Sequence, residues 1–223
     1  SSRFALGGVL FELNGEEVLA VGTDGRRLAR VQGTGKSIGG HQTSGNSTII
    51  LPRSLTLMER SIGDKEEVVH IASRGNDVLL RTGRCTIYSR LVEGRYPNWR
   101  QVIPQRDNSV AIDMTVGPFY NVIRQAAIVA DQETRGLDFE LGNGTLVLTA
   151  KTADLGQSRV ELPIGYDGEV IKLKLDYRFV SDFLKVLDAS TTFKLDIASS
   201  TQPALLTTAD GYAYVVMPMA MDA

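Results

Sequence analysis

A chain of 223 residues, 43% hydrophobic and 22% charged, has an ordinary globular composition and is long enough for one large or two small domains. Its net charge of −2 disfavours tight nonspecific capture of nucleic acid, which needs a strongly basic surface, but leaves room for weak contact through a local basic face. A single cysteine, Cys85, excludes an internal disulfide, and neither a signal peptide nor an apolar run of bilayer length is seen, so a reducing, cytoplasmic setting without a membrane is expected. The sequons at Asn46 and Asn143 then read as chance.

In chain order, three antiparallel strands come first, over 5–13, 17–23 and 26–31, joined by the turns Asn14-Gly15 and Asp24-Gly25. A Gly/Ser-rich loop over 33–48 leads to a strand at 47–51. Pro52 then opens a short helix with Leu55, Met58 and Ile62 inward. Strands at 68–73, 78–81 and 86–90 follow, with Gly75-Asn76 turning the first hairpin. The stretch 93–108 holds Gly94, Pro97 and Pro104 without periodicity, and marks a joint between domains 1–104 and 105–223.

Beyond the joint the order recurs. A strand at 110–113 precedes a helix started by Pro118, whose apolar stripe is Phe119, Val122, Ile123, Ala126, Ala127 and Ala130. Strands at 137–141, 145–150 and 159–162 follow, with Gly142-Asn143-Gly144 as a hairpin turn. A strand at 170–175 then leads to a helix capped by Asp176, with Val180, Phe183, Leu184 and Leu187 inward, and to strands at 193–197, 204–207 and 212–217. Each recurrence is strand–helix–three strands, roughly 55–60 residues long. Two of them back to back give an α+β domain with two helices packed on one face of antiparallel sheet. The opening strands lack the strand and helix that the repeat predicts upstream, so the chain is expected to be a fragment whose first unit has lost its opening.

Catalytic chemistry finds little support. His41 lies in the Gly/Ser-rich loop, and His70, beside Ile71 in a strand, is expected to be a satisfied structural residue. No Cys/His cluster has metal-ligand spacing. Glu16-Glu17 and Glu66-Glu67 fall at turns, where charge serves solvation. Gly33-Thr34-Gly35-Lys36-Ser37 fails as a phosphate loop, because Arg30 stands where its first glycine is needed and no long helix follows. No enzyme activity, metal or cofactor is therefore expected.

Two segments point to binding. In the run Gly211-Tyr212-Ala213-Tyr214-Val215-Val216-Met217-Pro218-Met219, proline ends strand pairing and leaves Met217 and Met219 at a surface. Flexible, polarisable methionines suit a surface that accepts several partners, although an edge strand sealed by two core methionines fits the same residues. In Thr23-Asp24-Gly25-Arg26-Arg27-Leu28, a hairpin turn places two arginines at the rim of an apolar patch.

The motifs Leu6-x-Gly8, Val21-x-Thr23-Asp24-Gly25-x-Arg27-Leu28-Ala29, Leu91-Val92-Glu93-Gly94-Arg95-Tyr96-Pro97-Asn98-Trp99 and Tyr214-Val215-Val216-Met217-Pro218-Met219 occur in one order across the chain. In this the sequence resembles the bacterial DNA polymerase III beta subunit family, the sliding clamps, over most of the second domain and all of the third. The resemblance implies the DNA-clamp fold and a non-catalytic processivity factor. Two subunits of that family close head-to-tail into a homodimeric ring around double-stranded DNA, with helices lining the hole. Such a ring holds DNA topologically, so weak contacts on an acidic protein suffice. By similarity, Arg3, Phe4, Arg53 and Arg135 approach DNA. The outward helix faces add Arg124 and Arg178, with Arg60 and Lys185 taken as solvated.

The resemblance also implies a peptide pocket on the third domain where it meets the second. Its middle-domain residues would be Leu6, Thr23, Gly25, Arg26, Arg27, Leu28 and Pro97. Val102, Pro203, Val215, Val216, Met217, Pro218 and Met219 would complete it. Partners of the family, the polymerase alpha subunit, the clamp loader and repair polymerases, insert a motif of the Gln-x-x-Leu-Phe kind. Burial of two such side chains against ordering costs leads to micromolar affinity, about 8 kcal/mol. Three departures touch this pocket: Arg26 stands where the family often has His, Gln101 replaces a frequent Arg, and the ending Ala220-Met221-Asp222-Ala223 is long and lacks an arginine. Without the family's first domain, a fragment is expected to be monomeric rather than to form the ring. Two other readings are a repeat-built peptide-binding module that never encircles DNA, and an α+β enzyme with an unseen active site. The missing nucleophile–base or metal constellation argues against the enzyme.

Overall fold

Alternating apolar residues build the first strands, Val9–Asn14 (β1), Glu17–Thr23 (β2), Arg27–Thr34 (β3) and the short Ile49–Ile50 (β4). The computed structural model describes residues 4–43, 45, 48–63, 68–105 and 109–221, and the chain divides into two compact units, Ser1–Gln101 and Val102–Ala223.

In the first unit, β4, β1, β2 and β3 lie side by side in that order, all antiparallel. Pro52 begins the helix Pro52–Ser61 (α1) at a position where its missing N–H costs nothing. A second antiparallel sheet follows, of His70–Arg74 (β5), Asp77–Arg81 (β6) and Thr86–Arg90 (β7). Ile50, Met58, Val78 and Leu80 form a buried cluster between them, with Leu55, Ile71, Ile87 and Leu91 packed against it. Burial of each large aliphatic side chain contributes about 1.5–3 kcal/mol relative to exposure.

The second unit holds two full repeats. The first is Val110–Thr115 (β8), Val116–Ala126 (α2), Gly136–Gly142 (β9), Thr145–Thr152 (β10) and Gly156–Pro163 (β11). The second is Ile171–Asp176 (β12), Tyr177–Leu184 (α3), Thr192–Ile197 (β13), Ala204–Thr208 (β14) and Tyr212–Val216 (β15). Each repeat lends its first strand to the other: β8 pairs with β13, and β12 pairs with β9. The sheets are therefore β8-β13-β14-β15 and β12-β9-β10-β11. Phe119 and Phe183 from the two helices meet Phe193 at ring-centroid distances of 5.6 and 5.3 Å. This is the α+β strand–helix–three-strand architecture that the repeat predicts.

Several boundaries differ from the sequence expectation. The first hairpin turns at Gly15-Glu16, since Asn14 already pairs with Glu17. The strand expected at 47–51 shrinks to Ile49–Ile50, with Ser47 outside the described residues. Ile62 is exposed, because α1 ends at Ser61 and Ile62 caps it in extended conformation; Ser54 takes an inward place instead. α2 starts at Val116 rather than Pro118. The Val116 and Gly117 N–H groups donate to Thr191 O at 3.0 Å and Ala189 O at 2.8 Å, contacts that sequence periodicity does not contain. Pro118 still falls among the first helical residues, whose N–H groups have no intrahelical partner. Ala127 opens a 3₁₀ turn, Ala127–Val129, and Leu187 lies past the end of α3. Asp176 caps α3 as expected, its carboxylate accepting from Arg178 N at 2.8 Å.

Candidate functional site

The corner between β2 and β3 is a polar knot. Thr23 pairs with Leu28 at its base, and Gly25 at its tip has φ +89°, a left-handed conformation that glycine adopts without strain. The Thr23 hydroxyl donates to Arg27 O at 2.6 Å and accepts from Gly25 N at 3.1 Å. Asp24 Oδ1 accepts from Arg26 N and Arg27 N, and Asp24 Oδ2 accepts from Arg27 Nε at 3.0 Å. Partial burial pushes the Asp24 carboxyl up, yet these N–H groups and the Arg27 guanidinium outweigh it and hold the carboxyl below the usual carboxylate range. Arg27 is thus tied into the turn, while Arg26 is exposed and Leu28 is buried.

The stretch after β7 runs back along this unit. Phe4 bridges Arg95, and Ala5 N donates to Arg95 O at 3.0 Å, which seats the exposed Phe4 and Leu6 beside it. The buried Tyr96 hydroxyl donates to Val21 O at 2.8 Å. Burial pushes that hydroxyl up to about 12, against the lowering effect of the Thr23 backbone N–H. Half-buried Pro97 follows, then the 3₁₀ turn Trp99–Gln101. Here Glu12, an inward residue of β1 only 6% exposed, accepts from Trp99 Nε1 and from both terminal nitrogens of Arg100. Sequence reasoning missed Glu12; its one signal is a carboxylate at an inward position of an alternating strand.

In the second unit, Val215 and Val216 are fully buried, and β15 ends there rather than at Met217, which is 40% exposed. Pro218 and Met219 are half-buried, and Pro203 is half-buried just before β14. Met219 N donates to Lys174 O at 2.8 Å, making a one-residue bridge to β12, an edge strand of its sheet. Lys174 is another residue that sequence reasoning missed. Its side chain, 12% exposed, reaches Asp138 at 3.8 Å and crosses Gly136, where a Cβ would come within 2.6 Å of it. Val102 is exposed.

The helix faces carry the cations. Arg53 and Arg60 are exposed on α1. Between α2 and α3 lies an open groove of about 390 Å³, lined by Tyr120, Arg124, Tyr177, Arg178, Asp182 and Lys185 among others. It gathers Arg124 and Arg178 together with Lys185, which the sequence assigned to a solvated face; Lys185 pairs with Asp182 at 3.7 Å. Arg124 stands 5.8 Å from the Tyr120 ring centroid. Arg135 lies apart from that groove lining. It is half-buried with φ +57°, in a turn where Asp131 Oδ1 accepts from Glu133 N and Thr134 N, and its carbonyl accepts from Tyr177 N. Arg3 lies outside the described residues.

The histidines stand differently from expectation. His70 is exposed on β5 rather than enclosed, while His41 Nε2 accepts from Ser73 N at 3.3 Å. Among the described residues no group of three or more His, Cys, Asp or Glu could hold a metal ion, and no helix is long and apolar enough to cross a membrane.

Comparison with known proteins matches both units in order. Residues 1–98 match the central domain of the DNA polymerase III beta subunit, and residues 100–220 match its C-terminal domain. The chain belongs to this family. The beta sliding clamp of Proteus mirabilis is 31% identical over 225 residues, covering 97% of this chain and 58% of the relative. That of Escherichia coli K12 is 27% identical over 221 residues, again 97% and 58%. A solved DNA polymerase sliding clamp from Pseudomonas aeruginosa superposes with a TM-score of 0.89 at 25% identity, over 99% of this chain and 60% of that one. The chain thus spans somewhat more than half the length of the family members it matches.

Proposed function

We propose that this chain serves in DNA replication as part of a sliding clamp, a non-catalytic processivity factor that encircles duplex DNA and tethers a polymerase. The observation that carries the reading is the consecutive match of its two units to the central and C-terminal domains of the beta subunit family. A homodimeric ring in the cytoplasm goes with that reading. So does a division of labour within the chain. Arg53, Arg124 and Arg178, exposed on helices, face DNA and touch its phosphates weakly, and Arg3, Phe4 and Arg135 join them in approaching it. Contacts of this kind restrain without gripping, which suits a protein of net charge −2.

The other part of the reading is a peptide site for Gln-x-x-Leu-Phe-like segments of the polymerase alpha subunit, the clamp loader and repair polymerases. Each unit carries part of the residue set. The first has Leu6, the Thr23–Leu28 corner and Pro97. The second has Val102, Pro203 and the Val215–Met219 run. A residue set that includes accessible methionines and an exposed arginine suits a short apolar peptide with polar flanks. Leu28, Val215 and Val216 are buried, so they act by shaping what lies over them.

The test is fluorescence anisotropy of a labelled Gln-Leu-Asp-Leu-Phe peptide against this chain. Saturable binding in the micromolar range is expected, about 8 kcal/mol, lost with Met217→Ala and with a peptide in which alanines replace Leu-Phe. Absence of binding to the folded chain refutes the peptide site.

A further inference from the structure

The stretch from Gly94 to Gln101 has no regular structure apart from one 3₁₀ turn, yet it carries Pro97 and leads directly to Val102. Something other than a sheet ladder must hold it in place. Besides the Ala5 N to Arg95 O bond, two side-chain anchors do so, one on each side of Pro97. Before it, the Tyr96 hydroxyl is fixed to Val21 O on β2, two residues from Thr23. After it, Trp99 and Arg100 converge on the Glu12 carboxylate of β1.

The second anchor is chemically unusual. A carboxylate at an inward strand position is costly to bury unless both oxygens are satisfied. Here Oε1 accepts from Trp99 Nε1 at 3.4 Å and from Arg100 at 3.1 Å, and Oε2 accepts from the other Arg100 nitrogen. The Arg100 guanidinium also stacks 4.3 Å over the Trp99 ring, so one carboxylate orients two consecutive side chains at once. An aliphatic residue in place of Glu12 would give comparable burial. It would not fix the direction in which the 3₁₀ turn leaves the sheet. Donating to Glu12 also pushes the Arg100 guanidinium up.

We propose that Glu12 is a positioning residue for the peptide site: through Trp99 and Arg100 it sets the placement of Pro97 against the Thr23–Leu28 corner, without itself touching the peptide. This rests on the peptide-binding reading above and adds to it a residue of β1, which none of the segments assigned to the site contains.

Anisotropy with the same Gln-Leu-Asp-Leu-Phe peptide tests it, on the wild-type chain and on Glu12→Leu, Glu12→Gln, Arg100→Leu and Glu12→Leu/Arg100→Leu. Asp113→Asn, on an exposed pair with Lys194, is the control. Each variant is assayed where circular dichroism shows it fully folded, so that lost stability alone leaves the affinity unchanged. Glu12→Leu and Arg100→Leu should each weaken binding roughly tenfold, as removal of a supporting contact does, and the double variant no more than either alone. Glu12→Gln, which keeps an acceptor for the indole, should recover part of the loss, and Asp113→Asn should bind as wild type. In ¹⁵N spectra the Trp99 indole N–H should shift when wild type is saturated with peptide. Wild-type binding with undiminished affinity in the folded Glu12→Leu and Arg100→Leu variants overturns the positioning role and leaves the peptide site standing. Failure of wild type to bind refutes the peptide site itself. Should Glu12→Leu not fold, Arg100→Leu, whose side chain is half exposed, decides the matter alone.

Discussion

The two ends of the residue set assigned to the peptide site are held in opposite ways. In the first unit, Pro97 and the Thr23–Leu28 corner are fixed by buried side-chain hydrogen bonds, from Tyr96 to Val21 and from Trp99 and Arg100 to Glu12. In the second, the described run beyond β15 is attached through the backbone bridge Met219 N to Lys174 O, and Ala220 and Met221 after it are exposed. Side chains held by several directional bonds keep one geometry, whereas a methionine-bearing run held by a backbone bridge can repack around different partners. A fixed part and an adaptable part are a sensible division for a residue set proposed to exchange ligands.

Substitutions can break this contrast, the strongest first. Leu28→Ala, at a fully buried position beneath the corner, should cost about 2–5 kcal/mol of stability in urea unfolding, because the cavity cannot collapse around a knotted turn. Tyr96→Phe should cost about 1–3 kcal/mol in the same measurement, since Val21 O is left without its donor in a buried place. Met219→Pro removes the donor of that bridge and should cost only about 0.5–1.5 kcal/mol, while peptide affinity in the anisotropy assay falls by more than the stability change accounts for. Equal costs for Tyr96→Phe and Met219→Pro would erase the distinction between the fixed and the adaptable part.

The smallest effect concerns acid. The Asp24 carboxyl is held below its ordinary value of 3.8, so it stabilises the corner above that pH, and the contribution is lost as pH falls through the lower folded value. Asp24→Asn should therefore be less stable than wild type at neutral pH, with the gap closing below pH 3.8 in pH-dependent unfolding curves. A gap that persists in strong acid would mean that the turn depends on side-chain shape rather than charge.

Local features were legible in the sequence, and distant ones were not. The Asp176 cap, the Gly75-Asn76 turn and the stripe from Phe119 to Ala126 depend on neighbours within a few residues, and periodicity finds them. The start of α2 escaped because its first N–H groups bond to Ala189 and Thr191, far along the chain. Lys174 escaped for a similar reason: alternation identifies β12, but only the folded chain brings Met219 to its edge. Glu12 looked like one more polar residue on a strand until Trp99 and Arg100 closed over it.

The exchange of first strands in the second unit has a consequence for how the chain acquires its shape. Residues 110–115 emerge from the ribosome long before 192–197, the strand whose edge they occupy, and 136–142 wait for 171–176 in the same way. Neither repeat can finish its own sheet, so a half-synthesised unit has no stable resting form and its strand edges stay open meanwhile. Pairings this far apart in sequence make folding slow and all-or-none, and they make the interval before Ile197 appears the period of greatest exposure to aggregation.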